Sequence, residues 1–296
     1  METQNLLAFV RVTECGSFSV AAEQLHLTQP AVSKRIAALE AQLSARLFDR
    51  IGRQIRLTEA GQVLLPRAHR ILQAVKETRQ HLADLSGEVA GELSLATSHH
   101  VGLHRLPVIL KEFVQQYPAV DLKLAFLDSE RAYGEVLRGS MELAVITLSP
   151  NPPPAIESHQ VWEDPLQFVV SHNHPLASVG DVTLAELSRF PAILPEANTY
   201  TTRVVTTLFD AQSLPLTTKL ASNFLETIKM MVSIDLGWSV LPETLIDDQL
   251  RVLPLDNTRL TRSLGYIHHR ERTLGNAAQR FIELLSRRFI TNSGKS

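Results

Sequence analysis

Cysteine is nearly absent from this 296-residue chain, where Cys15 stands alone. A single thiol forms no internal disulfide and no Cys-rich metal site, and it has no resolving partner for a redox switch. A reducing cytoplasm is the expected compartment. Long apolar runs are also missing. None approaches the ~20 residues that span a bilayer, so no membrane partner is expected. The opening METQNLLAFVRVTECGSFSV carries acidic Glu2 and no basic stretch before an apolar core, and does not read as a signal peptide. There is no Gly-x-Ser-x-Gly elbow, no phosphate loop and no dinucleotide fingerprint. The expectation is a protein that is not an enzyme and uses no cofactor.

What is present is globular: 44% hydrophobic and 20% charged residues, in a chain long enough for two or three domains. A net charge of −2 gives no global sign of nucleic acid, but its distribution does. Lys34, Arg35, Arg46, Arg50, Arg53, Arg56, Arg67 and Arg70 face only Glu40, Asp49 and Glu59 in the same stretch. Such a basic stripe is what phosphate attraction requires. A solvated charged face has the same composition, so the stripe needs support from the pattern around it.

That pattern is helical. Leu6, Phe9, Val10 and Thr13 share one face, and Gly16 sits where a helix stops. Ser17 caps a short helix over 18–25, whose Ala21 and Ala22 allow close packing; His26-Leu27 makes a turn, and Thr28 caps the next helix with Pro30 in its first turn. Val32, Ile36, Leu39 and Leu43 define a buried stripe there, leaving Gln29, Pro30, Ser33, Lys34 and Ala37 on the other side. This is the arrangement of a helix-turn-helix whose second helix enters the major groove. Gln29 and Ser33 suit base edges, whereas Lys34, Arg35 and the Thr28 hydroxyl suit phosphate. A turn around Gly52 with Arg50 and Arg53 near its tip reads as a wing on the sugar-phosphate backbone.

The run Ser17-Phe18-Ser19-x-Ala21-Ala22-x-x-Leu25-x-x-Thr28-Gln29-Pro30-Ala31-Val32-Ser33 resembles the helix-turn-helix of LysR-type transcriptional regulators. The likeness continues through Ile36-x-x-Leu39-Glu40-x-x-Leu43 and Leu47-Phe48-x-Arg50-x-x-Arg53 to Leu57-Thr58-x-Ala60-Gly61. Ser44 departs from it, since that family usually has glycine there. The resemblance implies DNA contacts by Ser17, Thr28, Gln29, Pro30, Ser33, Lys34, Arg35, Arg50 and Arg53, on an interrupted palindrome.

From Thr58 to about Leu85 one long helix is expected, bent near Pro66. Leu64, Ala68, Ile71, Val75, Thr78, Leu82 and Leu85 step by 4 and 3 like a coiled-coil seam, which needs either a partner or the chain's own domain to cover it. The resemblance implies a homodimer through this helix, and tetramers built from such dimers. It also implies activation of a target promoter with RNA polymerase as a partner, and repression of the regulator's own gene.

Beyond Ser86-Gly87 and Gly91 the pattern changes to strands alternating with helices, which argues for a mainly parallel sheet flanked on both faces. One helix is expected over 103–116, strands near 92–97, 121–127 and 142–146, and an extended crossover past Glu157 through Trp162 to Val170. This half resembles the LysR effector domain, similar in turn to periplasmic solute-binding proteins, through Phe113-x-x-x-Tyr117-Pro118-x-Val120, Gly139-x-Met141-Glu142-Leu143-Ala144 and Gly237-x-Ser239-Val240-Leu241-Pro242. The fold class expected is α/β overall, in three parts. Residues 1–58 form a winged helix-turn-helix and 59–87 a long linker helix. Residues 88–296 form a two-lobed periplasmic-binding-protein-like α/β effector domain, with lobe I about 91–161 and 267–290 and lobe II about 162–266.

Two lobes make a cleft beyond the strand ends. Thr97, Ser98, His99 and His100 enter one helix there, Asn198, Thr199, Tyr200, Thr201 and Thr202 enter another, and Thr147 ends a strand. Free backbone N–H groups beside hydroxyls favour a small anion, although such hydroxyls often do no more than cap their helices. The Ala-Thr-Ser-His stretch is similar to that of sulfur-assimilation regulators in the same family, which implies a sulfur-related effector. Ser98 with His99 or His100 offers a nucleophile and a base, but no orienting carboxylate stands near in sequence. His100 and His104 share a helical face as metal ligands do, yet neither cysteine nor a nearby acidic residue supplies a third ligand, and no metal is expected. A solute-binding transport protein is the third class, disfavoured by the DNA-binding half.

Overall fold

A computed structural model describes residues 1–51, 54–84, 87–255 and 260–293. Gly52, Arg53, Leu85 and Ser86 of the expected wing, seam and hinge, and the Arg50 side chain, lie outside what is described. The chain divides into two compact units, Met1–Glu88 with Arg138–Ser140, and Val89–Leu137 with Met141–Ser296.

The first unit begins with α1 (Thr3–Cys15), α2 (Phe18–Gln24) and α3 (Gln29–Leu43). Gly16 ends α1 in the left-handed region at φ 60°, as a helix stop requires. Ser17 accepts a hydrogen bond from the Val20 N–H and Thr28 from that of Ala31, so both hydroxyls cap the helices that follow. Val32, Ile36 and Leu39 of α3 bury against Leu6, Phe9 and Val12 of α1. Leu43 does not. It is exposed, because it falls on the last turn, past the edge of this core.

Ser44 lies at φ 49° and ψ 36°, a left-handed conformation that a Cβ disfavours and glycine does not. Ser44→Gly should therefore raise the stability of this unit by about 0.5–1 kcal/mol. A rise in the urea midpoint followed by far-UV circular dichroism supports this, and an unchanged or lower midpoint contradicts it.

A hairpin follows, β1 (Phe48–Ile51) antiparallel to β2 (Gln54–Leu57), with Phe48 opposite Leu57. Its entry is fixed by Glu40 of α3, whose Oε1 accepts from the Leu47 N–H at 2.7 Å. Phe48 packs on Phe9 and Phe18. Then α4 (Glu59–Asp84) runs unbroken through Pro66. Its start is tied down by Thr58, whose hydroxyl donates to the Arg46 carbonyl at 2.6 Å and accepts from the Gly61 N–H at 3.1 Å. The apolar seam of α4 is divided. Leu64 and Ala68 bury in the unit's own core, Ile71 and Val75 are half-buried, and Thr78 and Leu82 face solvent.

In the second unit β3 (Gly91–Thr97) leads into α5 (His99–His104) and α6 (Pro107–Gln116). These are two helices where the periodicity predicts one, because Leu106-Pro107 restarts the helix with proline at its first position. Next come β4 (Val120–Phe126), α7 (Ser129–Arg138) and β5 (Leu143–Thr147), with β3 parallel to both β4 and β5. The long β6 (Ile156–Ser171) follows. After it come a 3₁₀ turn, α8 (Leu184–Leu187), β7 (Ala192–Leu194), α9 (Tyr200–Asp210) and β8 (Thr218–Ala221) parallel to β7. Last are α10 (Leu225–Ser233), β9 (Ser239–Pro242), a second 3₁₀ turn, β10 (Leu250–Val252), β11 (Leu260–His269) and α11 (Asn276–Ser293).

The main sheet runs β10-β6-β11-β5-β3-β4, with β9 also on β6. The expectation of a mainly parallel sheet needs correction. β6 is antiparallel to β9, β10 and β11, and β11 is antiparallel to β5. Both long strands cross the whole unit. On the first half of β6, α5, α6 and α11 cover one sheet face and α7 the other. On its second half, α9 packs with Trp238 on one side and α10 on the other. The β6–β11 register slips between Leu264 and Gly265, so that Trp162 opposes Leu264 while Gln160 opposes Gly265. This bulge sends consecutive Val161 and Trp162 into one cluster.

Candidate functional site

Two surfaces carry unspent polar chemistry, one in each unit. On α3, Gln29, Pro30 and Lys34 are exposed, with Ser33 and Arg35 half-buried. The Gln29 amide Nε2 donates to the Ser33 hydroxyl at 3.0 Å, so the two expected base readers already face each other one turn apart. Arg35 donates to Oε1 of Gln4 on α1 at 2.8 Å, which orients its guanidinium along the first helix.

The second surface is a cavity of about 60 Å³ beyond the ends of β3, β5 and β7. Of the residues expected there, Ser98, His99, His100, Thr147, Thr199, Tyr200 and Thr201 line it. Thr97, Asn198 and Thr202 do not. The Thr97 hydroxyl points into the sheet and donates to the Val145 carbonyl, that of Thr202 donates to the Pro195 carbonyl, and the Asn198 carbonyl accepts from Arg203. The Thr199 hydroxyl is also committed locally, donating to the Glu196 carbonyl and accepting from the Thr202 N–H.

Sequence reasoning missed the residues that give the cavity its charge. Asp128, Ser129, Glu130, Asn223 and Arg262 also line it. Oε1 of Glu130 accepts the Tyr200 N–H at 2.7 Å, so the N-terminus of α9 is not open to an incoming anion as expected. Burial pushes the Glu130 carboxyl above the usual range, against the pull of its backbone hydrogen bonds.

Opposite in sign is Arg262 of β11. Its Nε donates to Oδ2 of Asp164 at 2.8 Å and its Nη1 to the Thr201 hydroxyl at 3.1 Å. Asp164 is 1% exposed and takes Arg105 on its other oxygen at 3.1 Å, so one buried carboxylate holds two guanidiniums. The Nη2 of Arg262 is buried and has no hydrogen-bond partner among the described residues. His100 lies beside this triad with Nε2 at 3.9 Å from Asp164, too long for a hydrogen bond. Burial, then the field of Arg262, pushes its pKa down to about 4, so this contact is no ion pair at neutral pH.

A winged helix-turn-helix with a polar exposed face, followed by an α/β unit enclosing a charged cavity at its strand ends, defines a ligand-responsive DNA-binding regulator. Residues 3–62 match the bacterial regulatory helix-turn-helix of the lysR family, and residues 86–290 match the LysR substrate binding domain. The chain belongs to the LysR family of transcriptional regulators, which are DNA-binding proteins and not enzymes.

Relatives include the transcriptional activator CmpR of Synechocystis, 30% identical over 94% of this chain and 92% of the relative. The uncharacterized regulator YeiE of Escherichia coli K12 is 32% identical over 95% of each. Over 36% of this chain and 74% of the relative, identity reaches 66% with an uncharacterized regulator in the ibpB-leuC intergenic region of Azotobacter vinelandii. Among solved structures, CbnR shares the fold at a TM-score of 0.68 and 23% identity, covering 98% of this chain and 99% of that one. Among the described residues no helix is long and apolar enough to cross a membrane.

Proposed function

We propose that this regulator is controlled by a small anion held at Arg262, and that α3 is the element that reads DNA. The observation that carries the effector reading is the unpartnered Nη2 of Arg262, a guanidinium 8% exposed at the cavity wall. A buried donor without a partner costs about 1–3 kcal/mol, and an oxyanion in the cavity removes that cost. Size narrows the choice. At about 10–15 Å³ for each water-sized position, the 60 Å³ cavity holds about four to six non-hydrogen atoms. That suits a tetrahedral oxyanion, those of sulfur included, or a carboxylate of two or three carbons. Glu130 and Asp128 also line the cavity, so an anion that also carries a hydrogen-bond donor is favoured over a bare dianion.

Calorimetry of the full chain against sulfate, sulfite, phosphate and small hydroxy- and amino-carboxylates tests this. One of them binds, and Arg262→Met weakens it at least about tenfold, the worth of a charged hydrogen bond. Silence across the series, or binding indifferent to Arg262→Met, contradicts the reading.

On the DNA side, Gln29 and Ser33 meet base edges. Lys34 and Arg35, together with Thr28, Ser17, Pro30 and the wing residues Arg50 and Arg53, set position on the backbone. Two subunits pair along the outer half of α4, where Leu82 is 65% exposed, and place their recognition helices on an interrupted palindrome. Dimers associate into tetramers. Effector binding shifts the closure of the two halves of the sensor unit and so the bend of the DNA. The outcome in the cytoplasm is activation through RNA polymerase, as the name of CmpR supports, with repression of the regulator's own gene. Sedimentation at micromolar concentration checks the assembly, and a strict monomer contradicts it.

A further inference from the structure

His100 and His104 stand four residues apart on one face of α5, and the structure supplies the acidic partner that the neighbouring sequence lacks. It is Glu226 on the first turn of α10. Nε2 of His104 lies 2.9 Å from Glu226 Oε1, the rings of His100 and His104 are 4.8 Å apart, and the three donor atoms fall within 4.8 Å of one another. An ordinary hydrogen bond explains the contact between His104 and Glu226. It does not explain the rest. His100 is 5% exposed, and among the described residues neither of its ring nitrogens has a hydrogen-bond partner, nor does the buried Oε2 of Glu226. Buried lone pairs left unpaired in one small volume are what a cation satisfies.

We infer that His100, His104 and Glu226 bind a divalent transition-metal ion between α5 and α10. Two imidazoles and one carboxylate select zinc, cobalt, nickel or copper over magnesium or calcium, which prefer oxygen. Nδ1 of His99 lies 3.5 Å from Glu226 Oε2 and stands next to the site as a fourth donor. Metal–nitrogen bonds of about 2.0–2.1 Å place tetrahedral ligands roughly 3.3 Å apart. The His104–Glu226 pair at 2.9 Å already stands at that spacing and the remaining pairs lie within 4.8 Å, so small side-chain shifts let an ion bridge α10 and α5. These helices follow β8 and β3, and His99, His100 and Leu225 also line the anion cavity, so the ion acts as a clamp across its mouth. This inference does not depend on the anion reading, because the ion needs no ligand at Arg262.

Cobalt(II) titration of tag-free, chelator-treated full-length protein tests it. One ion per chain should bind, with the intensified visible d–d bands of a nitrogen-ligated low-symmetry site, and zinc should displace it. His104→Gln and Glu226→Gln should each weaken binding at least about tenfold. Both side chains are about one-third exposed, so each variant should keep its tryptophan-monitored unfolding midpoint. A second group, Glu157, His159 and His268, also places its donor atoms within 4.8 Å, so His159→Gln is the control and should bind cobalt like the parent. Absence of the bands, indifference to both α5–α10 variants, or loss in His159→Gln overturns the inference.

Discussion

Asp164→Asn should destabilise the C-terminal unit by about 3–5 kcal/mol, the cost of leaving buried charge without its partner. Asp164 is 1% exposed and receives Arg262 on one oxygen and Arg105 on the other. Asparagine keeps the shape, but it removes the only negative charge these guanidiniums contact among the described residues. Arg105 is about one-fifth exposed and recovers part of its solvation, whereas Arg262 cannot. A double variant, Asp164→Asn with Arg262→Met, should therefore lose less than Asp164→Asn alone, since it leaves one fewer stranded charge. The readout is clean. Both tryptophans, Trp162 and Trp238, lie in this unit, so fluorescence-monitored urea unfolding reports it without the DNA-binding unit. A midpoint within experimental scatter of the parent would show that the triad is solvated and that Arg262 is not held for a ligand.

Gly61→Ala should damage the other unit. A Cβ at Gly61 would lie 2.3 Å from the Leu47 carbonyl oxygen and 2.8 Å from a methyl of Leu57. The carbonyl cannot swing away, because it accepts the Thr58 N–H at 3.0 Å and so closes the base of the hairpin. Relief therefore requires α4 and the hairpin to separate. Overpacking of this kind costs about 1–3 kcal/mol, and a backbone obstacle places it at the upper end. Far-UV circular dichroism should show the transition of the helix-rich unit moving down while the tryptophan-monitored transition stays in place. An unchanged melt would mean that the hairpin is loose against α4.

These two positions show where sequence reading fails and where it succeeds. The motif around Gly61 is local: a cap, a close approach and a turn all lie within a few residues, and side-chain type alone reports them. The caps at Ser17 and Thr28 are legible for the same reason, and the left-handed Ser44 falls where a glycine would be expected. The seam of α4 is legible only as a stripe. Periodicity states that a face is apolar, not what covers it, so it does not separate Leu64 and Ala68, which face their own core, from exposed Leu82.

Strand direction is equally silent. Alternation of strands and helices describes β3, β4 and β5, but nothing local marks β6 and β11 as antiparallel crossovers. Least legible is the charge of the cavity. Asp164 and Arg262 are 98 residues apart and His104 and Glu226 are 122 apart, so only the fold brings them together. Of the hydroxyls that the sequence does flag, those of Thr97, Thr199 and Thr202 are taken up by backbone groups.

The proposed reading of DNA by α3 is the central claim. Its most direct test is the anisotropy of labelled DNA from upstream of the regulator's own gene, titrated with the full chain at several salt concentrations and against random competitor. The expected result is selective binding that falls steeply with salt, with selectivity lost at one base position per half-site in Gln29→Ala while the salt slope is kept. Binding without preference over the competitor, or a Gln29→Ala protein indistinguishable from the parent, would contradict it.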